Sequence, residues 1–353
     1  MYISNQGNGQ QGTAKKEGYV AVRLSAKQAH ALQKECVSIV EAGGPESGTA
    51  QAMAAAAAER MQALLSKRQL AKFQRYANGQ IAVLHVLGCD QPVNDPVPDV
   101  LPDRGCLQGD FVTNLLASRS QVILAMVGQD AVSYEFENKG LIARLVGNFL
   151  GGGETPIDVP ESKVAAGSSS HHGGLLAPHT EGPYFAMRWD VTGPAPSPAT
   201  LALTGRWNPL AEPTCVVVLR PILNSLGIQL IGLCLSAFRF GVSDSYEGAE
   251  APRQVQVVEY AKDGDFAVRY NDLRLQAEDD APEIAKGALA ALRDKIHSAR
   301  PRHVALGPSD VLLINNTQAV HARDIVRDNR RLLIRVFGAP AGRPGHYREL
   351  PLK

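Results

Sequence analysis

Pro178-His179-Thr180-Glu181 places an imidazole and a carboxylate two residues apart. In an extended chain, residues i and i+2 project to the same side, so this spacing suits two adjacent ligands on one metal ion. The tripeptide alone carries little specificity. A second imidazole stands at His321, after the apolar run Val311 to Ile314 ends in Asn315-Asn316 and the chain turns. Fourteen residues beyond His321, Arg335 interrupts the apolar run Leu332-Leu333-Ile334-Arg335-Val336. A guanidinium placed there needs an anionic partner. Two imidazoles and one carboxylate on one face of a metal leave three positions open, the facial triad of non-haem iron(II) oxygenases. A 2-oxo acid chelates two of them and dioxygen takes the third. The far carboxylate of the co-substrate then needs a buried cation, and a planar guanidinium meets it with two parallel hydrogen bonds. These residues predict Fe(II), 2-oxoglutarate and O2 as cofactors. His179, Glu181 and His321 are the candidate metal ligands and Arg335 the candidate co-substrate clamp.

The elements that must hold these residues are legible in outline. Ser25 with Gln28 three residues on is a capping-box signature, and Leu32, Cys36 and Ile39 continue it as a helix to about residue 41. A second helical stretch is predicted over residues 50–76, with an alanine run at 54–58 and an apolar stripe of Met53, Met61, Leu64 and Leu65. Residues 81–87 read as a strand, 89–108 as a surface loop, 111–117 as a short helix, and 122–127 and 141–146 as strands. The Gly-, Ser- and Pro-rich stretch 151–176 is a candidate active-site lid. Short β-like runs follow at 201–204, 215–219, 254–258, 266–270, 311–314 and 332–336, with one helix at 282–297. This pattern predicts a mainly β fold, an antiparallel sandwich or barrel with flanking helices. Residues 1–18 read as a disordered tail and 19–353 as one domain.

Composition narrows the partners. The 353 residues carry 36 basic and 35 acidic side chains, a formal net charge of +1, which predicts no nucleic-acid or anionic-membrane partner. Five cysteines, none in a CxxC pair, read as free thiols of a reducing compartment. No stretch approaches the ~18 apolar residues of a membrane span, and the polar N-terminus does not read as a secretory signal. The expected location is cytoplasmic and the expected partner a small-molecule substrate. Oligomeric state is not readable.

Beyond the triad, the sequence over roughly residues 105–340 resembles the clavaminate synthase-like branch of the taurine dioxygenase superfamily, which includes hydroxylases of free arginine and asparagine. The resemblance is carried by 127–141 with Tyr134-Glu135-Phe136-Glu137-Asn138-Lys139-Gly140, by Ser168-Ser169-Ser170 ahead of the first histidine, by Arg269-Tyr270-Asn271-Asp272-Leu273, and by the 306–310 turn. It implies a double-stranded β-helix, a cupin-like jelly roll. It further implies iron ligation by His179, Glu181 and His321, and 2-oxoglutarate held by Arg335 with help from Thr214. Asn138 falls where the group often has a glutamine for the substrate's α-amino or carboxylate end, and Asp272 near the acidic residue that meets a basic side chain. Ser170 and Tyr184 are the remaining substrate candidates. Gly182-Pro183-Tyr184-Phe185 departs from the family's continuation after the first ligand pair, and asparagine replaces glutamine at position 138. Glu181 fills the ligand position that related halogenases leave open for chloride.

The implied activity is hydroxylation of an unactivated C–H bond in a free amino acid or amino-acid derivative of secondary metabolism. Desaturation or cyclisation of another metabolite uses the same iron site. The two histidines and glutamate also permit a zinc-type hydrolase or lyase, and a non-catalytic jelly-roll binding module is the third reading. Among the other arginines, Arg206 and Arg220 read as structural ion pairs, and Arg323 as a candidate brace for the ligand strand through a pair with a carboxylate.

Overall fold

The computed structural model describes residues 17–135, 137–149, 173–187, 196–241, 252–260, 265–342 and 346–347. Most of the expected tail lies outside this set, as do residues 151–172 of the predicted lid, with the substrate candidate Ser170.

The described residues form sixteen strands and eight α-helices. The strands are β1 (Glu17–Arg23), β2 (Ile81–Leu87), β3 (Gln129–Tyr134), β4 (Arg144–Val146), β5 (Leu176–His179), β6 (Thr200–Trp207), β7 (Pro213–Val218), β8 (Phe238–Phe240), β9 (Val258–Tyr260), β10 (Phe266–Val268), β11 (Leu275–Ala277), β12 (Arg302–Ala305), β13 (Asp310–Asn315), β14 (Ala319–Arg323), β15 (Leu332–Pro340) and β16 (His346–Tyr347). The helices are α1 (Ala26–Glu41), α2 (Ala50–Leu64), α3 (Lys67–Ala77), α4 (Arg104–Leu107), α5 (Phe111–Met126), α6 (Leu219–Ser225), α7 (Gln229–Leu233) and α8 (Glu283–Ser298). The larger sheet runs β1-β2-β13-β6-β15-β3-β16, with β4 also paired to β15; the smaller runs β12-β7-β14-β5.

Period-two alternation along the central strands decides which face meets which layer. On β15, Leu332, Ile334 and Val336 pack outward with Val311 and Leu313 of β13 against Leu32, Met61 and Leu116 of α1, α2 and α5. The alternate residues Leu333 and Phe337 face inward with Leu312 and Ile314, and meet Val216 and Val304 of the smaller sheet. Each such side chain taken out of water contributes roughly 1.5–3 kcal/mol before conformational entropy is subtracted. A third cluster joins α6, α7 and α8 to the two-stranded sheets, around Phe238, Phe240, Tyr270 and Leu292.

Several elements differ from the sequence expectation. Residues 122–127 do not form a strand, because α5 continues through them from its cap at Asp110, whose Oδ1 accepts the Thr113 N–H at 2.7 Å. This helix is buried on nearly every side, so Val122-Ile123-Leu124 shows no helical stripe and imitates a core strand. The stretch 50–76 is two helices, since Leu65 is extended and Ser66 opens a new capping box with Gln69. The predicted strand at 254–258 starts only at Val258. The loop at 89–108 contains α4. The box at Ser25 and Gln28 stands as read.

Candidate metal centre and its cavity

His179 ends β5 and His321 lies in β14, and the two are direct cross-strand partners in an antiparallel pair. Paired residues place their side chains on the same face, and the two rings stand 4.2 Å apart between centroids. Glu181 follows on the chain, with Oε1 at 3.5 Å from Nε2 of His321. One ligand atom from each of the three residues lies within 4.8 Å of the others.

The segment around the first two ligands is tied down on both sides. Thr180 donates its N–H to the Tyr270 carbonyl at 2.8 Å, and Asp272 donates its N–H to the Pro178 carbonyl at 3.0 Å. Asn316, only 2% exposed, grips Glu181 by its backbone. Its Oδ1 accepts the Glu181 N–H at 2.7 Å, while its Nδ2 donates to the carbonyls of Glu181 and Pro198, both at 2.9 Å. Gly182, with φ +55, then turns the chain; a Cβ there would stand 2.9 Å from the Phe185 ring.

The protonation states suit a metal. His179 Nδ1 lies 2.9 Å from the Ala177 carbonyl, which fixes the proton on Nδ1 and leaves Nε2 free to act as a metal ligand. Burial, and then the neighbouring His321, push the His179 imidazole down to about 4, so it is neutral. Burial alone would raise the Glu181 carboxyl, but Arg335, followed by His321, outweighs it and holds Glu181 well below the usual carboxylate range. A neutral imidazole at His179 and an ionised carboxylate at Glu181 fit a divalent cation.

A cavity opens beside these ligands, lined by Glu181, His321, Thr214, Leu333, Arg331 and Arg335, with Arg323 and apolar residues of β4, β5 and β6. Its arginines follow from strand alternation. Residues 331, 333 and 335 share the inner face, Arg331 just ahead of β15 and Arg335 within it. The two guanidinia differ in surroundings. Arg335 donates from Nη1 to Glu181 at 3.1 Å and from Nη2 to Glu137, and lies 4.0 Å over the Phe337 ring. Glu137 also pairs with Arg144. Arg331 is 2% exposed, its Nε is buried without a hydrogen-bond partner, and among the described residues no carboxylate forms an ion pair with its guanidinium. Burial pushes Arg331 down to about 10.

Of the residues singled out in the sequence, His179, Glu181, His321, Thr214 and Arg335 come together. Asn138 does not join them. It sits at φ 62 and spends its amide on its own loop, accepting from Arg104 at 2.5 Å and donating to the Leu141 and Ala143 carbonyls. The adjacent Glu137 is the residue that reaches Arg335. Asp272 is engaged by Tyr270 Oη at 2.6 Å and by His297 Nε2 at 3.0 Å. Tyr184 packs in the α6–α8 core against Phe240 and Phe185. Arg206 is a structural ion pair with Asp95 and Asp110, and Arg220 pairs with Asp265 at 3.0 Å. Arg323 donates to the Gly174 carbonyl at 3.0 Å, bracing the ligand strand through backbone. Sequence reasoning missed Glu137, Arg144, Arg331 and Asn316. The Arg331–Arg335 spacing of four residues ahead of and within an apolar strand was the available signal.

No family model matches the chain, and no curated protein matches it. Solved structures do. The chain is similar to asparagine oxygenase crystallised with Fe(II), 2S,3S-3-hydroxyasparagine and succinate, at 18% identity and TM-score 0.66, over 90% of this chain and 92% of that one. It is similar to the non-haem iron oxygenase OrfP bound to Fe, succinate and (3S)-hydroxy-L-Arg, at 18% identity and TM-score 0.67, over 90% and 93%. A second asparagine oxygenase structure matches at 18% identity and TM-score 0.66 over 94% and 99%. The chain therefore shares the fold of these iron oxygenases along nearly its whole length. Among the described residues, no helix is long and apolar enough to cross a membrane.

Proposed function

We propose that this protein is an Fe(II)- and 2-oxoglutarate-dependent oxygenase, with a jelly-roll core, that hydroxylates a free amino acid or a close derivative. The observation that carries the proposal is the convergence of His179, Glu181 and His321 beside a cavity whose wall holds buried guanidinia. When bound, iron(II) with 2-oxoglutarate and dioxygen supplies an oxidant able to break an unactivated C–H bond, while the co-substrate leaves as succinate and carbon dioxide.

The chain's own groups do the rest. His179, Glu181 and His321 would hold the metal, and the Asn316 amide keeps Glu181 aimed at it. We assign the distal carboxylate of 2-oxoglutarate to Arg331 together with Thr214, instead of to Arg335. Arg331 lines this cavity with its Nε buried and, among the described residues, no carboxylate paired to it, and a bidentate pair with the co-substrate satisfies it. Arg335 already has Glu181 and Glu137.

Arg335, Glu137 and Arg144 then face the substrate side of the ligands. Their charges are paired with one another here, and a molecule carrying both a carboxylate and an ammonium would bind by exchanging with one of these pairs. The likeness to structures holding hydroxyasparagine and hydroxyarginine supports the same class. The test is succinate formation with Fe(II), 2-oxoglutarate, O2 and a panel of amino acids. Succinate released with one member of the panel and lost in His321→Ala supports the reading; no succinate above the substrate-free background across the panel refutes the amino-acid class.

A further inference from the structure

Arg331 stands in the wall between two cavities. It lines the inner one with Thr214 and His321, and also an outer cleft lined by Glu212, Pro213, Asp324 and Arg327. Glu212 is fixed there by its backbone: its N–H donates to Asn208 Oδ1 at 2.8 Å, and its carbonyl accepts from Asn208 Nδ2 at 3.0 Å. One carboxylate oxygen, Oε1, accepts the Arg327 N–H. Among the described residues the other, Oε2, is buried with no hydrogen-bond partner, as is Nε of Arg331. A bare carboxylate oxygen and a bare guanidinium nitrogen on one wall are costly unless something else satisfies one of them. Coulombic attraction to Glu212 opposes the loss of charge that burial imposes on Arg331.

We propose that Glu212 is the internal counter-ion of the co-substrate clamp, keeping Arg331 charged and in place while competing with the distal carboxylate of the bound 2-oxo acid. This rests on the proposed 2-oxoglutarate site. Glu212 lines the outer cleft with Arg331 and, among the described residues, forms no hydrogen bond or ion pair with it, so the guanidinium stays available to a ligand while its charge is offset. Once a ligand carboxylate is bound, Glu212 repels it across the wall. The residue thus sets how tightly 2-oxoglutarate is held and how readily succinate, with the same distal carboxylate, leaves.

The experiment is calorimetric titration of the Fe(II)-loaded protein without oxygen. In Glu212→Gln, 2-oxoglutarate and succinate should bind about tenfold more tightly than in wild type. Glu212→Asp, which keeps the charge, should stay within about twofold. Pyruvate, which has the chelating end but no distal carboxylate, should bind both proteins alike. Equal or weaker 2-oxoglutarate binding by Glu212→Gln, or an equal gain for pyruvate, overturns the role of Glu212. Should wild type fail to bind 2-oxoglutarate, the co-substrate reading itself falls, and the competition with it. The thermal midpoint of each variant separates these outcomes from misfolding. Glu212→Gln should melt below wild type, and 2-oxoglutarate should raise its midpoint by more than it raises that of wild type.

Discussion

His179 and His321, far apart along the chain, are paired across β5 and β14 with their rings 4.2 Å apart. That pairing turns two distant histidines into one ligand face, and Glu181 completes it. Replacing either histidine with alanine removes one of the three proposed protein ligands. Each variant should bind Fe(II) at least about a hundredfold more weakly, since even outer partners of metal ligands are worth 10–100-fold. Equilibrium dialysis with metal analysis measures this directly.

Asn316 should behave as a positioning residue. Its amide holds both the N–H and the carbonyl of Glu181. Asn316→Ala should weaken metal binding or turnover by roughly 10–100-fold. Asn316→Asp keeps the acceptor for the Glu181 N–H but loses the donor, and should fall between. An alanine variant with wild-type metal affinity and kcat would remove Asn316 from the account.

Arg331 and Arg335 should separate in kinetics. Arg331→Gln should raise the 2-oxoglutarate KM by about tenfold or more, as expected for losing charge-assisted hydrogen bonds worth ~1.5–3 kcal/mol. Its substrate KM should change little. Arg335→Gln should act mainly on the substrate KM and on metal binding through Glu181. The opposite pattern would return the clamp to Arg335.

How much of this was readable without coordinates depends on the kind of signal. The helix at 282–297 was legible because it buries one stripe, Ala285, Ala288, Leu289, Leu292 and Ile296, and the strand at 81–87 because a short apolar run follows the Asn78-Gly79 stop. The convergence of the candidate ligands was legible because His-x-Glu and the later histidine have fixed chemical types. Helix α5 was not, because burial on all sides erased its periodicity. Glu137 was passed over for Asn138, since the left-handed backbone at 138 and 139 decides which side chain turns inward. Arg331 and Arg335 look alike in sequence; the positions of Glu181 and Glu137, which pair with Arg335, separate them in the structure. Asp272 and Tyr184 have the right types, but neighbours already occupy them.

Stability offers an independent check of the scaffold. Leu332 is fully buried between the larger sheet and the helices. Leu332→Ala should cost about 2–5 kcal/mol, the range for emptying a leucine site in a core. Ser66→Ala, which removes the cap separating α2 from α3, should cost about 1 kcal/mol. Urea unfolding of the two variants reads both values.

Acid sensitivity should trace in part to Glu278. The hydrogen bond from Arg253 leads the interactions that hold its carboxyl down to about 2, from an ordinary 4.5. A carboxyl depressed on folding adds stability that is present above the unfolded value and is lost as pH falls toward the folded one. The contribution should therefore be complete above about pH 4.5 and fade between 4.5 and 2. Glu278→Gln should flatten the stability profile in that window, followed by urea midpoints at several pH values. An unchanged slope would assign the acid sensitivity to other carboxylates.

The most direct measurement is the visible spectrum of the protein mixed with Fe(II) and 2-oxoglutarate in the absence of oxygen. The account predicts a metal-to-ligand charge-transfer band that appears only with both additions, is lost in His179→Ala, and needs a higher 2-oxoglutarate concentration in Arg331→Gln. No band in wild type, with Fe(II) shown to be bound, would contradict a 2-oxo acid chelated at the His179–Glu181–His321 centre.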